Sequence, residues 1–62
     1  MKINELDVIR LKDGREVTVL DVYDNGAAFL VETSVSAFTE SEIFEIALED
    51  VDTVIWRNPP KN

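Results

Sequence analysis

A chain of 62 residues, 45% of them apolar, permits one small domain and leaves no room for a second. Six basic against thirteen acidic residues give a net charge of -7, and that field repels nucleic-acid backbones and anionic membrane surfaces alike. Without Cys or His there is no disulfide, no thiol nucleophile, no zinc–thiolate site and no imidazole base. No cofactor or metal is therefore expected, and the chain does not read as an enzyme.

The opening residues Met1–Glu5 carry one Lys and no apolar run of signal-peptide length. No stretch approaches the roughly 18 apolar residues of a membrane span, so the cytoplasm is the expected location. Eight Val, five Ile and four Thr favour strands. Asp13-Gly14 and Asn25-Gly26 are short hairpin signals, since a type I′ turn needs positive φ at both central residues. They divide the first half into three strands of an antiparallel meander, Leu6–Lys12, Arg15–Tyr23 and Ala27–Thr33. Along the second of these, Val17 and Val19 lie on one face but Leu20 and Val22 on the other. That switch predicts a bulge near Val19-Leu20, and Val8-Ile9 shows the same doubling.

After the polar loop Ser34–Ser41 the segment Glu42–Val51 has two readings. As a helix, Thr39 and Glu42 make a capping-box pair, and Phe44, Ala47, Leu48 and Val51 share a face. As a strand, Phe44, Ile46 and Leu48 point inward, with Ile43, Glu45 and Ala47 outward. Acidic Glu49, Asp50 and Asp52 at the negative pole of a helix with no terminal Gly argue for the strand. A short helical turn at Leu48–Val51 then leads into a closing strand, Asp52–Arg57, with Val54 and Trp56 inward. Residues 58–62, with two prolines, read as an extended tail behind a barrel of residues 1–57.

The carboxylates Glu40, Glu42, Glu45, Glu49, Asp50 and Asp52 form a solvated or docking face. Asp21, Asp24 and Asn25 lack the spacing of a calcium loop and are explained by the turn itself. Phe29, Phe44 and Trp56 are expected in the core. Tyr23, flanking a turn, and Phe38, in a polar loop, are contact candidates. If Phe29 and Val31 point in, Leu30 points out, and together with Ile43 or Ile55 it would make an apolar patch for a partner. The candidate partner-binding residues are therefore Leu30, Tyr23, Phe38 and Ile43.

The runs Leu6-Asp7-Val8-Ile9-Arg10-Leu11, Val17-Thr18-Val19-Leu20-Asp21-Val22-Tyr23 and Asp24-Asn25-Gly26-Ala27-Ala28-Phe29-Leu30-Val31-Glu32 resemble a bacterial domain-of-unknown-function family of short SH3-like barrel proteins. In that family an LDVV-like strand leads to a GTVV-V-like strand, a DG turn and an AY-VEF-like strand. Ile46-Ala47-Leu48-Glu49-Asp50-Val51 looks like its closing segment. The resemblance implies an all-β, SH3-like small barrel of about five antiparallel strands with a short helical turn before the last. Only Lys12-Asp13-Gly14-Arg15 joins the first two strands where the family often has a longer loop, so no loop-borne ligand is implied. The first two strands are also similar to the KOW motif of transcription and ribosomal proteins. That likeness implies a nucleic-acid-binding alternative using Arg10, Lys12 and Arg15. The reading favoured by the acidic surface and the out-facing Leu30 is a protein-interaction module, taking another protein or a second copy of itself, with neither nucleic acid nor membrane as partner.

Overall fold

A computed structural model describes residues 2–33 and 41–57. Phe38, Thr39 and the tail 58–62 lie outside the described residues. Five strands form one antiparallel sheet: β1 (Val8–Leu11), β2 (Glu16–Tyr23), β3 (Ala28–Thr33), β4 (Ile43–Ala47) and β5 (Val51–Trp56), in the spatial order β4-β3-β2-β1-β5. A single 3₁₀ turn, Leu48–Asp50, precedes β5. This is the SH3-like small barrel that the strand and turn signals predict. Among the described residues no helix is long and apolar enough to cross a membrane.

The core lies on the inner face of the sheet. Ile9 and Leu11 of β1, Val17 and Val19 of β2, Phe29 and Val31 of β3, Ile46 of β4 and Val51 of β5 are buried together. Their spacing follows the two-residue period of a strand with one apolar face. Ile3, ahead of the sheet, joins them. Phe44, Val22 and Val54 pack against this cluster from its rim. The segment that had two readings is a strand over Ile43–Ala47, where Ile46 is buried and Ile43 and Glu45 are exposed. Leu48 does not point inward as a strand continuation would; it falls in the 3₁₀ turn and is exposed.

The bulge in β2 is where the sequence places it. Val19 pairs with Val31, but Asp21 pairs with Leu30, leaving Leu20 as the extra residue. One inserted residue reverses the alternation, so Val22 turns inward and Asp21 and Tyr23 turn outward. β5 carries two such shifts, between Val51 and Thr53 and between Val54 and Trp56. The second overturns the expectation that Trp56 is a core residue. Val54 faces inward opposite Ile9, whereas Trp56 lies opposite Val8 on the outer face, 50% exposed.

The two hairpin turns differ. At the first, only Gly14 has positive φ (95°), Gly14 N–H donates to Leu11 O at 2.9 Å, and Lys12-Asp13-Gly14 is a three-residue loop. It is a right-handed turn closed by a left-handed Gly rather than the predicted type I′ turn. The second keeps the type I′ geometry at Asn25 (φ 55°, ψ 34°) and Gly26 (φ 94°), with Ala27 N–H donating to Asp24 O at 3.2 Å. Asp24 is left-handed as well (φ 50°), and the loop is four residues long because Tyr23 pairs with Ala28. A Cβ at Gly26 would meet nothing within 4 Å, so the cost of a side chain there begins with its positive φ. Gly26→Val is expected to destabilise by about 1 kcal/mol or more, measured as a lowered urea midpoint; an unchanged midpoint would contradict the turn assignment.

Candidate partner-binding face

Residues directly paired across antiparallel strands project on the same side of the sheet. On the outer face of β2, β3 and β4 the register therefore builds rows. Tyr23, Ala28 and Ala47 form one, and Asp21, Leu30 and Glu45 the next. Thr18, Glu32 and Ile43 form a third. Leu30, half-buried, sits with a carboxylate on either side. Ile43, 59% exposed, is its diagonal neighbour one row along, a separation of about 7–8 Å between backbones. Of the four residues singled out in the sequence, Tyr23, Leu30 and Ile43 share this face, and Phe38 lies outside the described residues.

Electrostatically the face is of one sign. None of the residues of β2, β3 or β4 is Lys or Arg, while Asp21, Glu32 and Glu45 all project outward. Tyr23 registers this: partial burial, then the charges of Asp21 and Glu45, push its phenol above its usual range. The hydroxyl therefore stays protonated and remains a hydrogen-bond donor at the edge of the patch. The third row continues across the sheet through Thr18 to Val8 and Trp56. Sequence reasoning missed Trp56 as a surface group, and it missed that Asp21 and Glu45 bracket Leu30. Only the β2 bulge, read together with the β3–β4 register, reveals the bracket.

Two of the three basic residues of the first hairpin, Arg10 and Arg15, stand against carboxylates. Arg10 lies 3.7 Å from Glu16, and Arg15 lies 2.8 Å from Asp13. The Arg15 backbone amide, foremost, and its guanidinium hold the Asp13 carboxyl below its usual range. The same guanidinium stands 4.8 Å from the centre of the Phe44 ring, within cation–π reach. Such exposed pairs add little stability, but they reduce the free positive charge of the first hairpin.

A groove of about 700 Å³ runs between the N-terminal segment and the β2–β3 turn, with Ile3, Val22 and Leu48 supplying its apolar lining. A smaller one of about 370 Å³ lies between the first hairpin and β4, with Arg15, Phe44 and Asp50 on its walls. Among the described residues no group of three or more acidic side chains is arranged to hold a metal ion. Compared with known proteins, the chain matches no family model, no curated protein and no solved structure.

Proposed function

We propose that this chain is a non-enzymatic protein-interaction module that docks another protein on the outer face of β2, β3 and β4. The observation that carries the reading is Leu30, an apolar residue held between Asp21 and Glu45 and flanked by Tyr23 and Ile43. An apolar centre with a charged rim is the anatomy of a protein interface, in which the centre supplies affinity and the rim sets association rate and partner choice. The rim is acidic, so the complementary partner presents Lys or Arg around an apolar residue. A second copy would bring a like-charged rim against this one and is disfavoured at a net charge of -7 per chain.

Calorimetric titration with a capped peptide, Thr-Lys-Val-Val-Lys-Thr, tests this. Leu30→Lys is expected to weaken binding by about tenfold or more, the effect of roughly 1.4 kcal/mol. Ile55→Lys makes the same charge change at an exposed site on β5, at the opposite edge of the sheet from β4, and it should weaken binding by less than about twofold. Equal losses in the two variants would mean diffuse charge attraction and would defeat the docking reading.

The KOW-like alternative rests on Arg10, Lys12 and Arg15. With Arg10 and Arg15 already paired to Glu16 and Asp13, little counterion release is left to drive binding. Duplex DNA or RNA is expected to bind more weakly than about 100 μM at physiological salt. Micromolar RNA binding in a gel-shift series, with a steep salt slope lost in Lys12→Glu, would decide for the alternative.

A further inference from the structure

The sheet has two outer edges, β4 and β5, and they are built differently. The β5 edge is broken by two register shifts within six residues, a common way of preventing a further strand from pairing. β4 pairs with β3 in unbroken register from Ile43 to Ala47 and contains neither Pro nor Lys. The hydrogen-bond phase fixes which of its backbone groups are free. Thr33 N–H donates to Glu42 O, and Leu48 N–H donates to Ala27 O, both at 2.9 Å. In an antiparallel ladder the bonded pairs alternate, so Glu42, Phe44, Ile46 and Leu48 face β3. Ile43, Glu45 and Ala47 turn their N–H and C=O groups away from it. Ala47 N–H is taken by Asp50 Oδ2 at 3.0 Å, which closes the edge at that end. Among the described residues nothing pairs with the N–H and C=O groups of Ile43 and Glu45.

We infer that the partner adds a sixth strand to the β4 edge, as an extended segment with a basic residue opposite Glu45 and apolar residues opposite Phe44 and Ile43. The inference rests on the docking reading and specifies its geometry. Main-chain bonds to Ile43 and Glu45 would supply affinity, and alternate side chains would supply selectivity. On the outer side, the basic residue opposite Glu45 completes the row Asp21, Leu30, Glu45 with the missing positive charge. On the inner side, the residue opposite Phe44 packs beside a half-buried ring at the rim of the core, over which the Arg15 guanidinium already stands. Glu45 also disfavours pairing of this regular edge with a second copy of the chain. A carboxylate projecting from an edge strand deters self-pairing and leaves pairing with a cationic strand favourable.

Amide hydrogen exchange followed by NMR, with the peptide Thr-Lys-Val-Val-Lys-Thr as probe, tests the geometry. In the free protein, the amides of Ile43 and Glu45 are expected to exchange much faster than those of Phe44 and Ile46. Saturating peptide should slow Ile43 and Glu45 by about tenfold or more and leave the β5 amides unchanged. A peptide N-methylated at the residues opposite Ile43 and Glu45 keeps its charge and shape but loses two donors. Its affinity should fall by more than about tenfold, because two main-chain hydrogen bonds are lost. Ile43 and Glu45 amides already protected in the free protein would overturn the inference. So would a methylated peptide that binds equally well. Peptide binding that is sensitive to Leu30→Lys but leaves both amides unprotected would sink strand addition alone and keep the docking face. Absence of any peptide binding would remove both.

Discussion

Phe29→Ala is expected to abolish cooperative folding. Phe29 has no exposed surface, and it lies in the middle of β3 between Val22 on one neighbouring strand and Ile46 on the other. Truncating a buried Phe costs about 3–5 kcal/mol, through lost transfer energy and the cavity left behind. A domain of this size holds only about 3–9 kcal/mol in total, and its small core has few side chains able to relax into the void. The expected outcome is loss of amide dispersion and of a sigmoidal urea transition at room temperature. Phe29→Leu, which keeps most of the volume, should retain both with a lowered midpoint. A Phe29→Ala variant unfolding at the wild-type midpoint would show that the inner face of the sheet is not the core.

Asp7→Ala comes next in size and acts through a different link. Asp7 is 1% exposed, and its Oδ2 accepts the Asn4 backbone N–H at 3.0 Å. Arg57 Nη1 stands 3.9 Å from the same oxygen and donates to Lys2 O at 2.9 Å, so one carboxylate joins the N-terminal segment to the residue following β5. Removing it leaves the part-buried Asn4 N–H without its acceptor, a cost of about 1–3 kcal/mol. The coulombic share is the smaller one, because Arg57 is well exposed and screened. Asp7→Asn, which keeps an acceptor, should therefore lose less than Asp7→Ala, and Arg57→Ala less than about 1 kcal/mol. Urea midpoints of the three variants check this order. If Arg57→Ala were as damaging as Asp7→Ala, the ion pair rather than the hydrogen bond would hold the two ends together.

The meander, the β2 bulge and the strand-then-turn reading of residues 42–51 are legible in the sequence, because each rests on short-range patterning. Gly14 and Gly26 mark turns, Val17 and Val19 set a face, and Leu20 breaks it. Trp56 was misread because period-two alternation holds only until a bulge, and β5 has bulges that no residue type announces. Ile3 and Asp7 were missed for a related reason. Their burial depends on the N-terminal segment returning over the barrel, where Leu6 N–H donates to Val19 O at 2.7 Å. Leu6 takes a left-handed φ of 71° there, an unfavourable choice for a bulky side chain that local propensity would not suggest. At the candidate site, Leu30 and Ile43 could be proposed from alternation alone. The carboxylates beside Leu30 could not, since their placement requires the register of three strands at once.

The central claim, that the outer face of β2, β3 and β4 is where this chain meets a protein, is tested most directly by position-resolved photo-cross-linking in cells. A benzophenone amino acid is placed in turn at Ile43, at Leu48 beside the larger groove and at Lys12 in the basic hairpin; all three positions are exposed. A discrete, nuclease-resistant protein adduct is expected from Ile43, disappearing when Leu30→Lys is added, with no comparable adduct from Leu48 or Lys12. A nuclease-sensitive adduct from Lys12, an adduct from Leu48 alone, or an Ile43 adduct of twice the 7.0 kDa chain mass would contradict the claim.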